Sequence, residues 1–171
     1  MRHLEIKIPS KNALVLIGVR RSGKTHLAVQ LAKQANLVTL YFNFEDPIFY
    51  EDNSVVHLDT LISVFTEYHQ LGKEPAIVIL DEIQNINGWE RWVRKQVELK
   101  QRRIILTGSS AKLLSAELAT AIAGRCVEEK VWPLSYQEFL NFSNFTCTTP
   151  SQHLAALREY FQFGGFPEVV L

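Results

Sequence analysis

Residues Gly18-Val19-Arg20-Arg21-Ser22-Gly23-Lys24-Thr25 set two glycines, a lysine and a threonine at the spacing G-x-x-x-x-G-K-[ST]. Glycines at those positions let the backbone bend until its N–H groups surround phosphate oxygens, and a helix beginning there adds the positive end of its dipole. The phosphate-facing backbone would run from Gly18 through Arg20, Arg21, Ser22 and Gly23 to Lys24, Thr25 and His26. Lys24 would contact the β- and γ-phosphates of a nucleotide, and the Thr25 hydroxyl is placed to ligate Mg²⁺.

A loop of this kind needs a carboxylate beside it. Ile77-Val78-Ile79-Leu80-Asp81-Glu82 is a hydrophobic run that delivers two acids to its end. Asp81 would hold Mg²⁺ through water, and Glu82 would orient or deprotonate an attacking water. A further strand, Ile104 to Thr107, ends in Gly108-Ser109-Ser110 and points to the same crevice if the sheet is parallel. Ser109 is the first candidate there for touching the γ-phosphate or the lytic water, with Ser110 and Thr107 as alternatives. Ser110 could equally cap the next helix.

The elements that must position these residues follow from hydrophobic periodicity. Asn12 to Gly18 is a continuous apolar run suited to a strand buried on both faces. Thr25 to Ala35 recurs at helical spacing and stops at Asn36. Val38 to Phe44 reads as a strand broken at Glu45-Asp46-Pro47, and Asp59 as the cap of a helix carrying Leu61, Ile62, Val64, Phe65, Tyr68 and Leu71 up to Gly72. Ala76 to Leu80 is the next strand. Asn87 is expected to cap a helix whose apolar side is Trp89, Trp92, Val93, Gln96 and Val97, with both tryptophans in the core. Lys112 to Ala123 reads as a helix, Cys126 to Trp132 as a fifth strand, Leu134 to Leu140 as a helix, Asn141 to Ser151 as a polar loop, and Ser151 as the cap of a helix to Phe163. Alternation of continuous apolar strands with helices predicts an α/β fold, a three-layer α/β/α sandwich around a parallel sheet, with a small helical appendage after residue 132.

Composition agrees with one soluble domain. The chain has 171 residues, 47% hydrophobic and 21% charged, with eighteen basic against eighteen acidic side chains. Zero net charge excludes a global basic field that would recruit nucleic acid or anionic lipid. The apolar runs are far shorter than the roughly 20 residues a membrane helix needs. The amino terminus alternates charged and apolar residues, unlike a secretory signal, so a cytoplasmic location is expected. Cys126 and Cys147 match no zinc or redox spacing and read as free thiols. The five histidines share no metal-ligand spacing.

Taken together, these motifs resemble the AAA+ superfamily, and within it the predicted bacterial and archaeal ATPases whose ATPase module precedes a C-terminal domain of unknown function. The hallmarks are Gly18 to Thr25, Leu80-Asp81-Glu82-Ile83-Gln84, Leu106-Thr107-Gly108-Ser109-Ser110, Gly124-Arg125, Pro133-Leu134-Ser135-Tyr136-Gln137-Glu138-Phe139-Leu140 and Gly164-Gly165-Phe166-Pro167-Glu168. The resemblance implies a P-loop NTPase core over residues 1–132, a helical lid over 133–171 that continues beyond Leu171, ATP and Mg²⁺ as cofactors, and hydrolysis to ADP. It also implies that Ser109 or Ser110 is the sensor 1 position, that Arg125 is an arginine finger acting on a neighbour's nucleotide, and that Pro167 borders the adenine.

Charge is segregated along the chain. Between Lys33 and Lys73 six acids and no Lys or Arg give a net of minus six over Glu45 to Glu67, while Arg91 to Arg103 carries a net of plus five. Head-to-tail assembly of like subunits through these segments, DNA binding by the basic one, and a merely solvated helix face are the three readings. For function, the first reading is an ATPase module. The alternatives are a nucleotide-dependent switch with little turnover, a P-loop kinase, for which no acceptor site is evident, and a helicase core, which Asp81-Glu82-Ile83-Gln84 would fit but which needs two such domains.

Overall fold

A computed structural model of the chain describes residues 6–49, 56–72, 74–109, 123–143 and 145–170. Five strands, β1 (Ala13–Gly18), β2 (Thr39–Asn43), β3 (Ala76–Asp81), β4 (Arg102–Ser109) and β5 (Cys126–Lys130), form one sheet in the order β2-β3-β4-β1-β5. Every pairing is parallel. The chain leaves β1 toward β2 at one side of the sheet and leaves β4 toward β5 at the other. The crevice between the C-terminal ends of β1 and β4 is therefore the topological switch point at which such sheets bind ligands.

Strand alternation divides the core into two layers. Leu14, Leu16, Ile77, Ile79 and Ile105 face helix α1 (Lys24–Ala35) through Leu27, Ala28, Leu31 and Ala32. Val15, Ile17, Val78, Leu80, Ile104 and Leu106 face the opposite side, packing with Leu58 of α2 (Val56–Tyr68) and with Trp89, Trp92, Val93 and Val97 of α3 (Trp89–Leu99). The α/β/α sandwich expected from alternation is the fold observed, and α3 buries Trp89, Trp92, Val93, Gln96 and Val97 as its periodicity required. Asn36 ends α1 in the left-handed conformation at φ 50°.

Boundaries differ from the sequence expectations where a competing signal decided them. Asp59 is not a cap: it lies in the first turn of α2 (Val56–Tyr68), and its carboxylate accepts from Trp92 Nε1 at 2.9 Å and Lys95 Nζ at 2.9 Å on α3. The buried stripe of α2 accordingly uses Leu58 and Phe65, while Val64 and Tyr68 are exposed. Gly88, at φ 76°, rather than Asn87 precedes α3. The strand β5 stops at Lys130, and β4 extends two residues to either side of the expected one.

Beyond β5, α4 (Tyr136–Phe142), α5 (Pro150–Phe163) and the short α6 (Pro167–Val170) form a separate apolar cluster around Phe139, Leu140, Ala156 and Tyr160. The starts of α4 and α5 are set by capping boxes, Ser135 with Glu138 and Thr149 with Gln152, the latter with Pro150 at the first helical position. These replace the expected starts at Leu134 and Ser151. The cluster is tied to the chain leaving the sheet by Tyr160 Oη donating to the Leu134 carbonyl at 2.8 Å and Leu134 N–H donating to the Gly165 carbonyl at 2.5 Å. Of the helix expected over Lys112 to Ala123, residues 112–122 lie outside the described residues, as does Ser110, and Ala123 is in a turn before β5.

Candidate nucleotide site

The loop from β1 to α1 is shaped by two left-handed residues, Arg21 at φ 66° and Gly23 at φ 89°. Gly18 begins it in a space that admits no side chain: a Cβ there would overlap the carbonyl oxygen of Val131 and come within 2.8 Å of Ser22 Oγ. Ser22 is fully buried, and Lys24, the first residue of α1, is 5% exposed. The Lys24 ammonium donates to the carbonyls of Gly18 at 3.2 Å and Val19 at 3.1 Å, curling the loop around it, and lies 3.8 Å from Glu82 Oε1.

Asp81 ends β3 beneath this loop and is 4% exposed. Three hydroxyls from three elements converge on its carboxylate. Thr25 Oγ1 on α1 lies 2.9 Å from Oδ2 and 3.1 Å from Oδ1, Tyr41 Oη on β2 donates to Oδ2 at 2.8 Å, and Thr107 Oγ1 on β4 donates to Oδ1. Thr107 also accepts the backbone N–H of Glu82 at 3.1 Å, so one hydroxyl joins the two acids. Burial, and then the Asp81 carboxylate, push the Tyr41 phenol well above its ordinary range, which keeps it a donor.

Glu82 adopts φ 53°, a left-handed conformation that a non-glycine residue holds at some cost and that is found more often at functional sites. Its Oε2 accepts from Gln84 Nε2 at 2.5 Å. A pocket of about 670 Å³ lies over these groups, lined by Arg20, Arg21, Gly23, Lys24, Thr25, His26, Asp81 and Glu82 from the core and by Phe142, Pro167 and Glu168 from the helical cluster. A larger open cleft between α2 and α3 holds none of these residues.

A chain whose Lys24, Thr25, Asp81 and Glu82 meet in this way is matched over residues 10–140 by the family model described as an AAA domain. The chain belongs to the AAA family of P-loop ATPase domains. Two curated relatives of this AAA domain are themselves uncharacterized proteins: one of Methanocaldococcus jannaschii, 36% identical over 177 residues that cover 99% of this chain and 39% of that protein, and one of Haemophilus influenzae, 38% identical over 164 residues covering 92% and 40%. The chain thus spans about two fifths of the length of those relatives. Among solved structures, C. elegans PCH-2 superposes with a TM-score of 0.57 at 14% identity, covering 91% of this chain and 42% of that one, a likeness of fold.

Within the AAA domain the remaining sequence candidates are distributed unevenly. Ser109 pairs in register with Gly18, which sets it beside the loop, but it does not line the pocket. Of the alternatives at that strand end, Thr107 engages Asp81, and Ser110 lies outside the described residues. Arg125 precedes β5 at the far end of the sheet, where its carbonyl accepts from Ala13 N–H at 2.9 Å. The length of β1 separates it from Gly18 by about 17 Å at the usual strand rise. Its guanidinium instead pairs with Glu98 of α3 at 3.0 Å. Arg20 pairs with Glu45 at 3.4 Å and Arg21 with Glu168 at 3.0 Å, the latter linking the loop to α6.

The opposite charges of the acidic and basic segments are partly spent within the chain, because α2 and α3 lie on one face of the sheet and Asp59 takes Lys95. Burial alone would raise the Asp59 carboxyl. The hydrogen bonds from Lys95 and Trp92 outweigh it and hold the group below its usual range. Among the described residues no helix is long and apolar enough to cross a membrane, and no group of three or more His, Cys, Asp or Glu is placed to hold a metal by itself.

Proposed function

We propose that this AAA module binds ATP with Mg²⁺ and hydrolyses it to ADP and phosphate, coupling the cycle to a conformational or assembly change. The observation that carries this reading is the meeting of Lys24 and Glu82 above the Thr25–Asp81 hydrogen bond in one pocket. The residues fit both groups. Lys24 Nζ makes two hydrogen bonds to carbonyls, leaving a third donor for a phosphate oxygen. The local donors for a cation, the Thr25 hydroxyl and the Asp81 carboxylate, are hard oxygens of the kind Mg²⁺ prefers. When bound, Mg²⁺ would neutralise charge on the β- and γ-phosphates.

The chain's own residues then divide the work. The loop from Gly18 through Arg20, Arg21, Ser22, Gly23 and His26 holds the phosphates, and Lys24 stabilises charge on them. Thr25 ligates the cation directly and Asp81 orients its water shell. Glu82 accepts the proton of an attacking water while that water's oxygen bonds to the γ-phosphorus and the bond from phosphorus to the β–γ bridging oxygen breaks. Ser109 contacts the γ-phosphate or the water, Pro167 borders the base, and Arg125, too far from its own loop, serves a neighbouring subunit. Residues 1–132 form the catalytic core and 133–171 the lid segment.

Phosphate release from ATP with Mg²⁺, lost in chelator and lost in Glu82→Gln, is the result expected. Equal release by Glu82→Gln and the wild type would refute the assignment of the base. A second reading, a nucleotide switch with little turnover of its own, is favoured by the Gln84 hydrogen bond and the Lys24 pairing that together occupy both Glu82 oxygens. It predicts tight binding with background phosphate release by wild type and variant alike.

A further inference from the structure

The phosphate loop and the two acids account for Lys24, Thr25, Asp81 and Glu82, but not for Tyr41. Tyr41 sits on the edge strand β2, opposite Ile79 in register, and its ring reaches two residues further along the neighbouring strand to set its hydroxyl 2.8 Å from Asp81 Oδ2. From the other side of β3, Thr107 on β4 donates to Oδ1, and Thr25 bridges both oxygens from α1. A carboxylate gripped by three hydroxyls on three separate elements cannot rotate without breaking bonds on both sides.

From this arrangement we infer that Tyr41 is a positioning residue for the divalent cation: its hydroxyl fixes the plane of the Asp81 carboxylate so that the carboxylate meets the cation's water shell in one orientation. The inference rests on the reading that Asp81 and Thr25 hold Mg²⁺ beside the nucleotide phosphates. A partner that orients a ligand from outside contributes to metal affinity rather than to phosphate binding, and its loss commonly costs 10- to 100-fold in metal affinity. Tyr41 is 41% exposed, so removing its hydroxyl opens no core cavity.

The test compares the wild type with Tyr41→Phe, using Tyr68→Phe, an exposed tyrosine on α2 remote from Asp81, as the control. ADP affinity is measured by titration calorimetry in chelator and at saturating Mg²⁺, and Mn²⁺ affinity of the ADP-loaded protein by paramagnetic resonance. Tyr41→Phe should bind ADP in chelator within about twofold of wild type yet bind Mn²⁺ about tenfold more weakly, with the Mg²⁺-linked gain in ADP affinity reduced to match. The Tyr68→Phe control should follow the wild type in every readout. A Tyr41→Phe protein with the wild-type metal dependence would overturn the role of Tyr41 while leaving the metal site standing. Equal losses in chelator and in Mg²⁺, or a lowered melting temperature accounting for both, would show a structural role only and overturn it as well. A wild type that binds ADP with no gain from either cation would overturn the metal site itself, and the role of Tyr41 with it.

Discussion

Lys24 Nζ lies 3.8 Å from Glu82 Oε1, with Lys24 almost fully enclosed and Glu82 largely so, so the cation of the phosphate loop and the acid at the end of β3 face each other across the pocket floor. An incoming phosphate competes with Glu82 for Lys24. Replacing Glu82 by Gln removes that competition together with the proton acceptor. Glu82→Gln should therefore bind ATP at least as tightly as wild type while turning it over about a hundredfold more slowly or worse. Affinity by calorimetry and single-turnover phosphate release separate the two effects.

Arg125 and the phosphate loop occupy opposite ends of β1. If Arg125 acts on a neighbour, Arg125→Ala and Lys24→Ala should each be inactive alone, and a mixture should recover activity at sites that combine an intact loop with an intact arginine. An arginine finger is worth about 10³ or more in rate, which makes the recovery easy to see. A mixture no more active than its components would remove Arg125 from the reaction.

Asp59 joins α2 to α3 through Trp92, Lys95 and Gln96. Because its folded-state carboxyl is held below the unfolded value of 3.8, its contribution is present above about pH 4 and is lost as pH falls through the folded value. The Lys95 pair is half-exposed and solvent-screened, worth at most about 1 kcal/mol. Thermal melts between pH 3 and 7 should show Asp59→Asn less stable than wild type at pH 7, with the gap narrowing in acid. A constant gap would contradict the linkage.

Gly165 lies where the helical cluster returns to the chain leaving the sheet, and a Cβ there would overlap the Leu134 carbonyl and stand 3.1 Å from its nitrogen. Gly165→Ala should lower stability by about 1–3 kcal/mol through backbone displacement. Tyr160→Phe, which loses one bond to Leu134, should cost about 1 kcal/mol. Equal melting temperatures for both variants and wild type would show that neither contact ties the cluster down.

The layers of this fold are legible because β1, β3 and the middle of β4 are continuous apolar runs and α3 repeats at a strict helical period, so spacing alone places Trp89, Trp92, Val93, Gln96 and Val97 in the core. Lys24, Thr25, Asp81 and Glu82 were legible because the phosphate loop and the acid-ended strand are local patterns. Tyr41 carries no local pattern: its role depends on β2 lying beside β3 in one register, which the sequence does not state. Asp59 misled because an acid at a helix start caps in isolation, whereas here α3 supplies stronger donors. The starts at Ser135 and Thr149 carry the local patterns Ser-x-x-Glu and Thr-x-x-Gln, which compete in the sequence with the neighbouring Leu134 and Ser151.

The central claim is that Lys24 binds the phosphates of a nucleotide in the pocket over Asp81. Titration calorimetry of ATP with Mg²⁺ on the wild type and on Lys24→Ala tests it directly. The account predicts saturable one-to-one binding by the wild type that Lys24→Ala loses while retaining its fold by circular dichroism. Wild-type binding that Lys24→Ala keeps undiminished, or no binding by the folded wild type, would contradict it.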